Sequence, residues 1–545
     1  MKRVVDWLGL LFVSVGAMIG SGWMLGPLHA VKIAGAVAVA SWIVGGLIVM
    51  IIAVVFAELS SMLPVTGGIA RYSQFSHGGF VSFVMTWTAW IAYILIPTVE
   101  VQALLEYSAN YFPGLVNTGI DSNVHLSGIG MIVAIFLLVL MSYINILGIK
   151  FATELNKYLV YLKLSVPVIV AFGLMYTACH VENLERISDF SFADNMKNLF
   201  KSLPMAGIIF AYLGFRSSIE IGGEARNPQR TLPLSLLGSI LICMVIYTLV
   251  QLAFILSMPP ELVQDGWQNF SFSKISGSAS DTGPFVSLAK ILGLAFLIKL
   301  IVLDSVVAPF GSALMVVTTN SRMAYAMSVN GYFPKIFSRI NKKDVPHWSL
   351  LINLVLGLIL LLPFPGWQQM VSFIIAALVV SHAIAPISLY SLRQQIPDQE
   401  RPFKLPQYSF ICRVVFVLLT FIAYWTGWKV LSMMYLFLLL GLVYLYIYRI
   451  THPSKNDLPF LNFSRSAWLW GYFVGLGAIS YCGDTAFGGL GYLSFGIDIL
   501  VLLIFSLSIF EWSIREALTS EDAVRQIIKE KEVMQIHNKL HNTMV

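Results

Sequence analysis

Two stretches of backbone, rather than any pair of side chains, are the first candidates for chemistry in this sequence. One reads Val15-Gly16-Ala17-Met18-Ile19-Gly20-Ser21-Gly22-Trp23 and puts three glycines and a serine within seven residues of an apolar run. The other reads Ile208-Ile209-Phe210-Ala211-Tyr212-Leu213-Gly214-Phe215-Arg216, followed by Glu220, Gly222 and Gly223. An interior glycine costs a helix about 1 kcal/mol relative to alanine, so both stretches are predicted to unwind. An unwound Gly20-Ser21-Gly22 offers free backbone N–H groups beside a half-helix N-terminus, and these suit a carboxylate. An unwound Phe210-Ala211-Tyr212-Leu213 offers carbonyls, which suit an ammonium. A carboxylate site beside an ammonium site describes an amino acid. The plain alternative is that the glycines serve close helix packing.

Ionisable side chains within apolar runs form the second set, because charge there is costly and function is the default reading. Lys163 stands in Tyr161-Leu162-Lys163-Leu164. It reads as a proton acceptor, or it reaches a helix end, or it supplies fixed charge in place of a structural sodium. Arg216 follows the second glycine stretch, and its planar fork suits a carboxylate. Its partner is the acidic side chain of a substrate, or Glu220 one turn on. Lys299 and Asp304 share one long apolar run but not one helix face. Glu58, Glu100 and Glu106 lie near the ends of runs and read as solvated or structural. His382 reads as a hydrogen-bonded residue between helices. His537 and His541 have helical i, i+4 spacing but no third ligand, so no metal is expected.

The elements that position these residues must be membrane helices. Of 545 residues, 57% are hydrophobic and 11% charged, whereas a soluble domain carries about 25% charge. About 310 apolar residues allow roughly 14 or 15 helices of 20 residues. Charge-free runs place fourteen spans at 4–31, 34–60, 79–105, 126–149, 156–179, 198–222, 231–257, 284–318, 346–362, 367–392, 410–428, 430–449, 466–483 and 490–511. Met1-Lys2-Arg3 imitates a signal peptide, but the run after it reads as the first span. Strict two-residue alternation is missing, which argues against a barrel. Lys and Arg concentrate in alternate loops, with Arg71, Lys150, Arg226, Arg230, Arg322, Lys335, Arg339, Lys342, Lys343, Arg393, Arg401, Lys404 and Arg413 on one side. By the positive-inside rule both termini are cytosolic, in a cell membrane. The tail after Glu511 reads as a charged cytosolic segment, opening with Thr519 and Asp522 as an N-cap pair.

The two glycine stretches fall in spans one and six. An offset of five places corresponding helices in opposite orientations, the mark of an inverted repeat. Broken helices at matching positions point to a transporter binding site, since exposed backbone at that depth must line a cavity. Residues 1–180 and 181–395 would be the two five-helix repeats, 396–450 spans eleven and twelve, 451–511 two further spans, and 512–545 the tail. Four cysteines, Cys179, Cys243, Cys412 and Cys482, are too scattered for a disulfide framework or zinc site. No phosphate-binding Gly-x-x-x-x-Gly-Lys-Ser/Thr occurs and no nucleophile stands with a base, so neither a pump nor a membrane enzyme is expected. Nucleic acid and cofactors are not expected.

Six motifs in order carry a resemblance. They are Gly20-Ser21-Gly22; Ala57-Glu58-Leu59 with Pro64-Val65-Thr66-Gly67-Gly68; Asn145 to Lys150; Glu224-Ala225-Arg226-Asn227-Pro228-Gln229-Arg230; Ser321-Arg322-Met323-Ala324-Tyr325-Ala326 with Gly331 to Pro334; and Leu392-Arg393 to Pro397 with Arg401-Pro402-Phe403-Lys404. In these the chain resembles the amino acid–polyamine–organocation (APC) superfamily of transporters, which have the LeuT fold. The resemblance implies an all-α membrane protein with a 5+5 inverted repeat, working by alternating access as a proton-coupled symporter or an exchanger. It implies a substrate carboxylate at Ile19 to Gly22, an amine at the carbonyls of spans one and six, and Phe210 as a gate, with Ala211, Tyr212, Leu213 and Gly214 lining the break. It also implies Lys163 on span five, beside span one, as the proton-coupling group. Many relatives have an acid where Arg216 stands, and this departure suggests an acidic substrate. A transporter-like sensor without flux is the alternative outside transport.

Overall fold

Each of the fourteen apolar runs is occupied by helix in the computed structural model, which describes residues 5–65, 67–118, 124–185, 191–272, 283–361, 366–451 and 463–528. Span one is Trp7–Met18 and Gly22–Ala34, span two Ala38–Met62, span three Gly79–Ser108, span four Gly128–Ile146 and span five Ile149–Thr177. Span six begins at Phe192–Met205 and continues over Ile208–Glu220, while span seven is Pro228–Leu256 and span eight Ala295–Val329. Span nine is His347–Leu360, ten Trp367–Gln395, eleven Tyr408–Trp425, twelve Trp428–Thr451, thirteen Ala467–Cys482 and fourteen Ile497–Arg515.

Among the described residues ten helices are each long and apolar enough to cross a membrane, and eleven if bent span six is counted whole. Two differences separate that count from fourteen, and a third run departs from its expected bounds without changing it. Gly22–Met62 is one run of 41 residues, about 60 Å at 1.5 Å per residue, which Gly35 divides at φ +57°. His347–Leu360 and Ala467–Cys482 are shorter, at 14 and 16 residues. The run 284–318 is not a single span: Pro284–Ile291 is a separate short helix, turned away at Gly293, where φ is +70°.

The connections sort onto two faces. On the first, Val5 forms a parallel bridge with Ala225, and Arg322 Nε binds Glu224 Oε1 at 3.0 Å. On the same face Leu518 N donates to Ser76 O at 2.9 Å, and Gln395 Nε2 bonds both Ser76 O and Leu518 O. On the opposite face His180 N meets Leu256 O, and Lys197 pairs with Asp484 at 3.1 Å. A two-stranded hairpin, Val116–Thr118 with Val124–Leu126, lies between spans three and four.

Span one runs through the middle of the bundle, against spans five, seven and eight. The 18-residue apolar cores of spans three and ten are buried throughout. These five helices supply the groups that meet the interrupted backbone. Spans thirteen and fourteen pack outside, through span eleven and the short helix Gly68–His77 between spans two and three. The segment carrying His537 and His541, and Thr66 of the second motif, lie outside the described residues.

Candidate functional site

The first half of span one ends at Met18, and Ile19 turns to extended backbone, with φ −81° and ψ 93°. Helix resumes at Gly22, so Ile19, Gly20 and Ser21 form the interruption. The carbonyls ahead of it are met from three other spans. Lys163 Nζ donates to Gly16 O at 2.7 Å from span five. Ser312 Oγ donates to Ala17 O at 3.0 Å from span eight, and Tyr247 Oη donates to Met18 O at 2.7 Å from span seven. Asn156, seven residues before Lys163, bonds Phe12 O at 2.8 Å, so one face of span five grips the first half of span one.

The N–H side of the interruption is also occupied. Ser21 N donates to Glu100 Oε2 at 2.7 Å, and Glu100 Oε1 lies 3.2 Å from Ser312 Oγ. Ser21 Oγ accepts from Trp367 Nε1 of span ten at 2.8 Å. The glycines make these approaches possible. A Cβ would stand 2.3 Å from Asn156 at Gly16, 2.3 Å from Glu100 at Gly20, and 2.9 Å from Ala211 Cβ at Gly22. Spans one and six therefore touch at Gly22 and Ala211.

Span six departs from expectation in where it yields. Phe210, Ala211, Tyr212 and Leu213 are not unwound; they belong to the helix Ile208–Leu213. The irregular points are Gly207, at φ +77° with a 52° bend between the flanking helices, and a tight turn over Gly214–Arg216. The reason is local. The six residues between Gly207 and Gly214 are apolar and contain neither glycine nor proline, so distortion collects at the ends. Gly214 permits the closest backbone approach, since a Cβ there would lie 2.5 Å from the Ala17 carbonyl carbon. Ala211 O also receives Tyr247 Oη, at 3.3 Å, so one tyrosine caps both spans. Tyr212 Oη turns away to Trp42 O at 2.9 Å, and Phe210 stands edge-on to Trp367.

Arg216 is buried in a cluster. Its guanidinium bonds Glu220 Oε1 at 2.5 Å and His382 Nε2, and lies over the rings of Phe56 and Tyr93 at 5.3 and 5.5 Å. Arg216 Nε, Glu220 Oε2 and His382 Nδ1 remain without hydrogen-bond partners. Lys163 and Asp304 are buried, and Asp304 faces Lys163 and the Trp23 indole without a well-formed hydrogen bond from either. Lys299 is exposed near the start of span eight and does not join them. Among the described residues no group of three metal-binding side chains occurs.

Three contributors, Ser312, Tyr247 and Trp367, are not singled out by the sequence, and a fourth, Glu100, is there read only as solvated or structural. Glu100 was placed near a span end, yet it stands eight residues before Ser108, about 12 Å inside the helix. The extension of apolar sequence to Tyr107 was the available signal. Glu106 is buried with Gln102, and Glu58 is buried between Arg393 and Arg401, so neither is solvated. On the first face a cavity of about 350 Å³ opens between Val5, Phe12, Lys157 and Arg226, reaching within about a turn of Gly16.

Comparison with known proteins places the chain among transporters. The family model described as amino acid permease matches residues 5–482. The glutamate/serine transporter AimA of Bacillus subtilis is 31% identical over 530 residues, covering 96% of this chain and 95% of that protein. The aspartate-proton symporter of the same organism is 34% identical, covering 94% and 96%. The serine/threonine exchanger SteT is 24% identical, over 75% of this chain and 88% of that protein. Over nearly its whole length the chain belongs to the amino acid permease family of the APC superfamily, a multi-pass membrane transporter and not an enzyme.

Proposed function

We propose that the chain is a proton-coupled permease for acidic amino acids, loading and releasing substrate at the contact between spans one and six. One observation carries this. Two interrupted helices meet at Gly22 and Ala211, and buried ionisable groups, Lys163 and Glu100, hold the interruption of span one from either side. The substrate α-carboxylate takes the Ser21 amide and the neighbouring glycine backbone, and the ammonium takes carbonyls of Met18 and Ala211 in place of Tyr247. Phe210 and Trp367 close over it, since Trp367 touches both spans. Lys163 couples the cycle to protons. Its ammonium ties Gly16 to span five, and loss of its proton loosens the first half of span one toward the cavity on the first face. That face is cytosolic on the charge bias of its loops.

The acidic preference draws on the two long relatives, named for aspartate and for glutamate and serine. Arg216 is the guanidinium beyond the span-six turn. An acidic side chain would share it with Glu220.

The test is purified protein in liposomes with labelled aspartate, glutamate and serine. Accumulation driven by an imposed proton gradient supports the reading. Uptake only against internal amino acid makes the protein an exchanger, and binding without flux makes it a sensor.

A further inference from the structure

The amide that span one exposes to a substrate carboxylate is already bonded to a carboxylate of the protein. Glu100 Oε2 sits 2.7 Å from Ser21 N, Oε1 sits 3.2 Å from Ser312 Oγ, and the side chain is 1% exposed. The space it fills exists because residue 20 lacks a side chain, as a Cβ would come within 2.3 Å of Oε1. We propose that Glu100 is a built-in stand-in for the substrate's α-carboxylate, and that an amino acid takes the Ser21 amide only as Glu100 takes up a proton.

This deepens the proton-coupled reading above and rests on it. Two ionised carboxylates do not share one N–H without strong repulsion. Glu100 stands on a span that is buried along its apolar core, so swinging out as an anion would carry the charge through protein. Neutralisation is the cheaper route. One proton moves from water on the loading side to a Glu100 oxygen, no other bond changes, and the substrate carboxylate replaces the lost negative charge. The neutral Glu100 then has an O–H to donate to the carboxylate that displaced it. When substrate leaves, the proton returns to water and Glu100 recloses on Ser21.

The charged and titratable surroundings fit a single exchange of charge. Lys163 on span five and Tyr247 on span seven act on Glu100 through space, while their own hydrogen bonds to span one go to its carbonyls. Asp304 on span eight faces Lys163 rather than Glu100. Arg216 and Glu220 of span six and His382 of span ten gather at Tyr93, about two turns along span three, and are bonded to one another. Glu106, on span three itself, is bonded by Gln102. In the short helix before span three, Arg71 is held by Asn330. The ammonium of Lys163, which also faces Asp304, therefore sees one carboxylate at the span-one interruption, whether it belongs to Glu100 or to the substrate.

The experiment is calorimetry of aspartate, glutamate and serine binding to the full chain in detergent, in buffers of different ionisation enthalpy, from pH 5.5 to 8.5. Wild-type protein should take up close to one proton per amino acid bound where Glu100 is ionised, and affinity should fall about tenfold per pH unit there. Glu100→Gln should bind with a pH-independent affinity and no uptake, whereas Lys163→Ala should still take up the proton. Uptake in Glu100→Gln equal to wild type overturns the assignment, as does wild-type transport driven by protons with no uptake on binding; both leave coupled transport standing. No proton-driven transport and no uptake defeats both readings. Should Glu100→Gln not fold, infrared difference spectra of wild type with ¹³C-carboxyl glutamate decide. A protein carboxyl that becomes protonated on binding supports the stand-in, and none overturns it.

Discussion

The interruption of spans one and six and the seam that binds spans thirteen and fourteen both depend on buried or half-buried carboxylates, but they treat them differently. At the seam the carboxylates are saturated. Asp484 accepts from Lys197 Nζ, Ala486 N and Phe495 N, and these outweigh its burial to hold its carboxyl below the usual range. Asp498 accepts from Tyr424 Oη, Gly496 N and Ile499 N. At the interruptions, Glu220 Oε2, Arg216 Nε, His382 Nδ1 and both oxygens of Asp304 lack partners, although they are buried. Leaving such atoms unpaired costs about 1–3 kcal/mol each. A seam that only has to hold can satisfy its carboxylates, even where the indoles of Trp425 and Trp468 and the Ser480 hydroxyl go without a partner. A site that must exchange a ligand and protons keeps some unsatisfied.

The largest effects should follow from filling the contact between spans one and six. Gly22→Val places a side chain against Ala211, and amino-acid binding should fall below detection by calorimetry. Normal affinity in a folded Gly22→Val protein would remove the site from this contact. Gly214→Ala should be worse for folding than Gly20→Ala. At Gly214 the obstacle is the Ala17 and Met18 backbone, but at Gly20 it is the movable Glu100 carboxylate.

Lys163→Ala should abolish proton-driven accumulation in liposomes while substrate still binds. Unchanged concentration of substrate, with unchanged pH dependence, would reduce Lys163 to a structural tie on Gly16. Arg216→Ala comes next. Breaking a buried ion pair leaves its partner uncompensated and costs about 3–5 kcal/mol. If Arg216 only holds Glu220 and His382, Arg216→Ala and Glu220→Ala should each lower stability and weaken every substrate together, and the double variant should cost much less than their sum. If it also reads an acidic side chain, Arg216→Ala should weaken aspartate at least tenfold more than serine.

What was legible in the sequence was what is written locally. Runs without charge located the apolar helices, up to eleven of which among the described residues are long enough to cross a membrane, and the crowding of Gly16, Gly20 and Gly22 marked the interruption of span one. The motif resemblance gave the family. What was not legible depends on partners far apart in the chain. Glu100 lies 79 residues from Ser21, and Tyr247 lies 229 from Met18. Nothing near Glu100 in sequence tells that its helix passes the opened amide. The misplaced unwinding in span six has a local cause. Glycines mark where a helix is weak, but at Gly207 and Gly214 the distortion stayed at the glycines, and Phe210 to Leu213 between them kept their helix.

The smallest expected effect lies at the seam and separates it from the site. His77, at the end of the short helix Gly68–His77, is buried edge-on to Trp468 of span thirteen. Its Nε2 donates to Ser513 O at 3.0 Å at the end of span fourteen. Burial pulls its pKa down to about 4, against a partial upward pull from the Ser513 carbonyl. The folded state therefore favours neutral His77, while the unfolded chain binds a proton below about pH 6.5. Stability from this residue is complete above that pH, declines as pH falls from about 6.5 to 4, and is constant below. The full difference is at most about 3.4 kcal/mol at 1.36 kcal/mol per pKa unit. His77→Gln keeps a donor for Ser513 and removes the titration. In thermal unfolding at pH 7.5 and 5, the wild type should lose more melting temperature than His77→Gln, and at pH 7.5 the two should bind amino acid alike. An equal pH response would mean that water reaches His77 in the folded protein. A changed affinity at pH 7.5 would mean that the seam is mechanically joined to spans one and six, and the contrast between a holding region and a working region would fail.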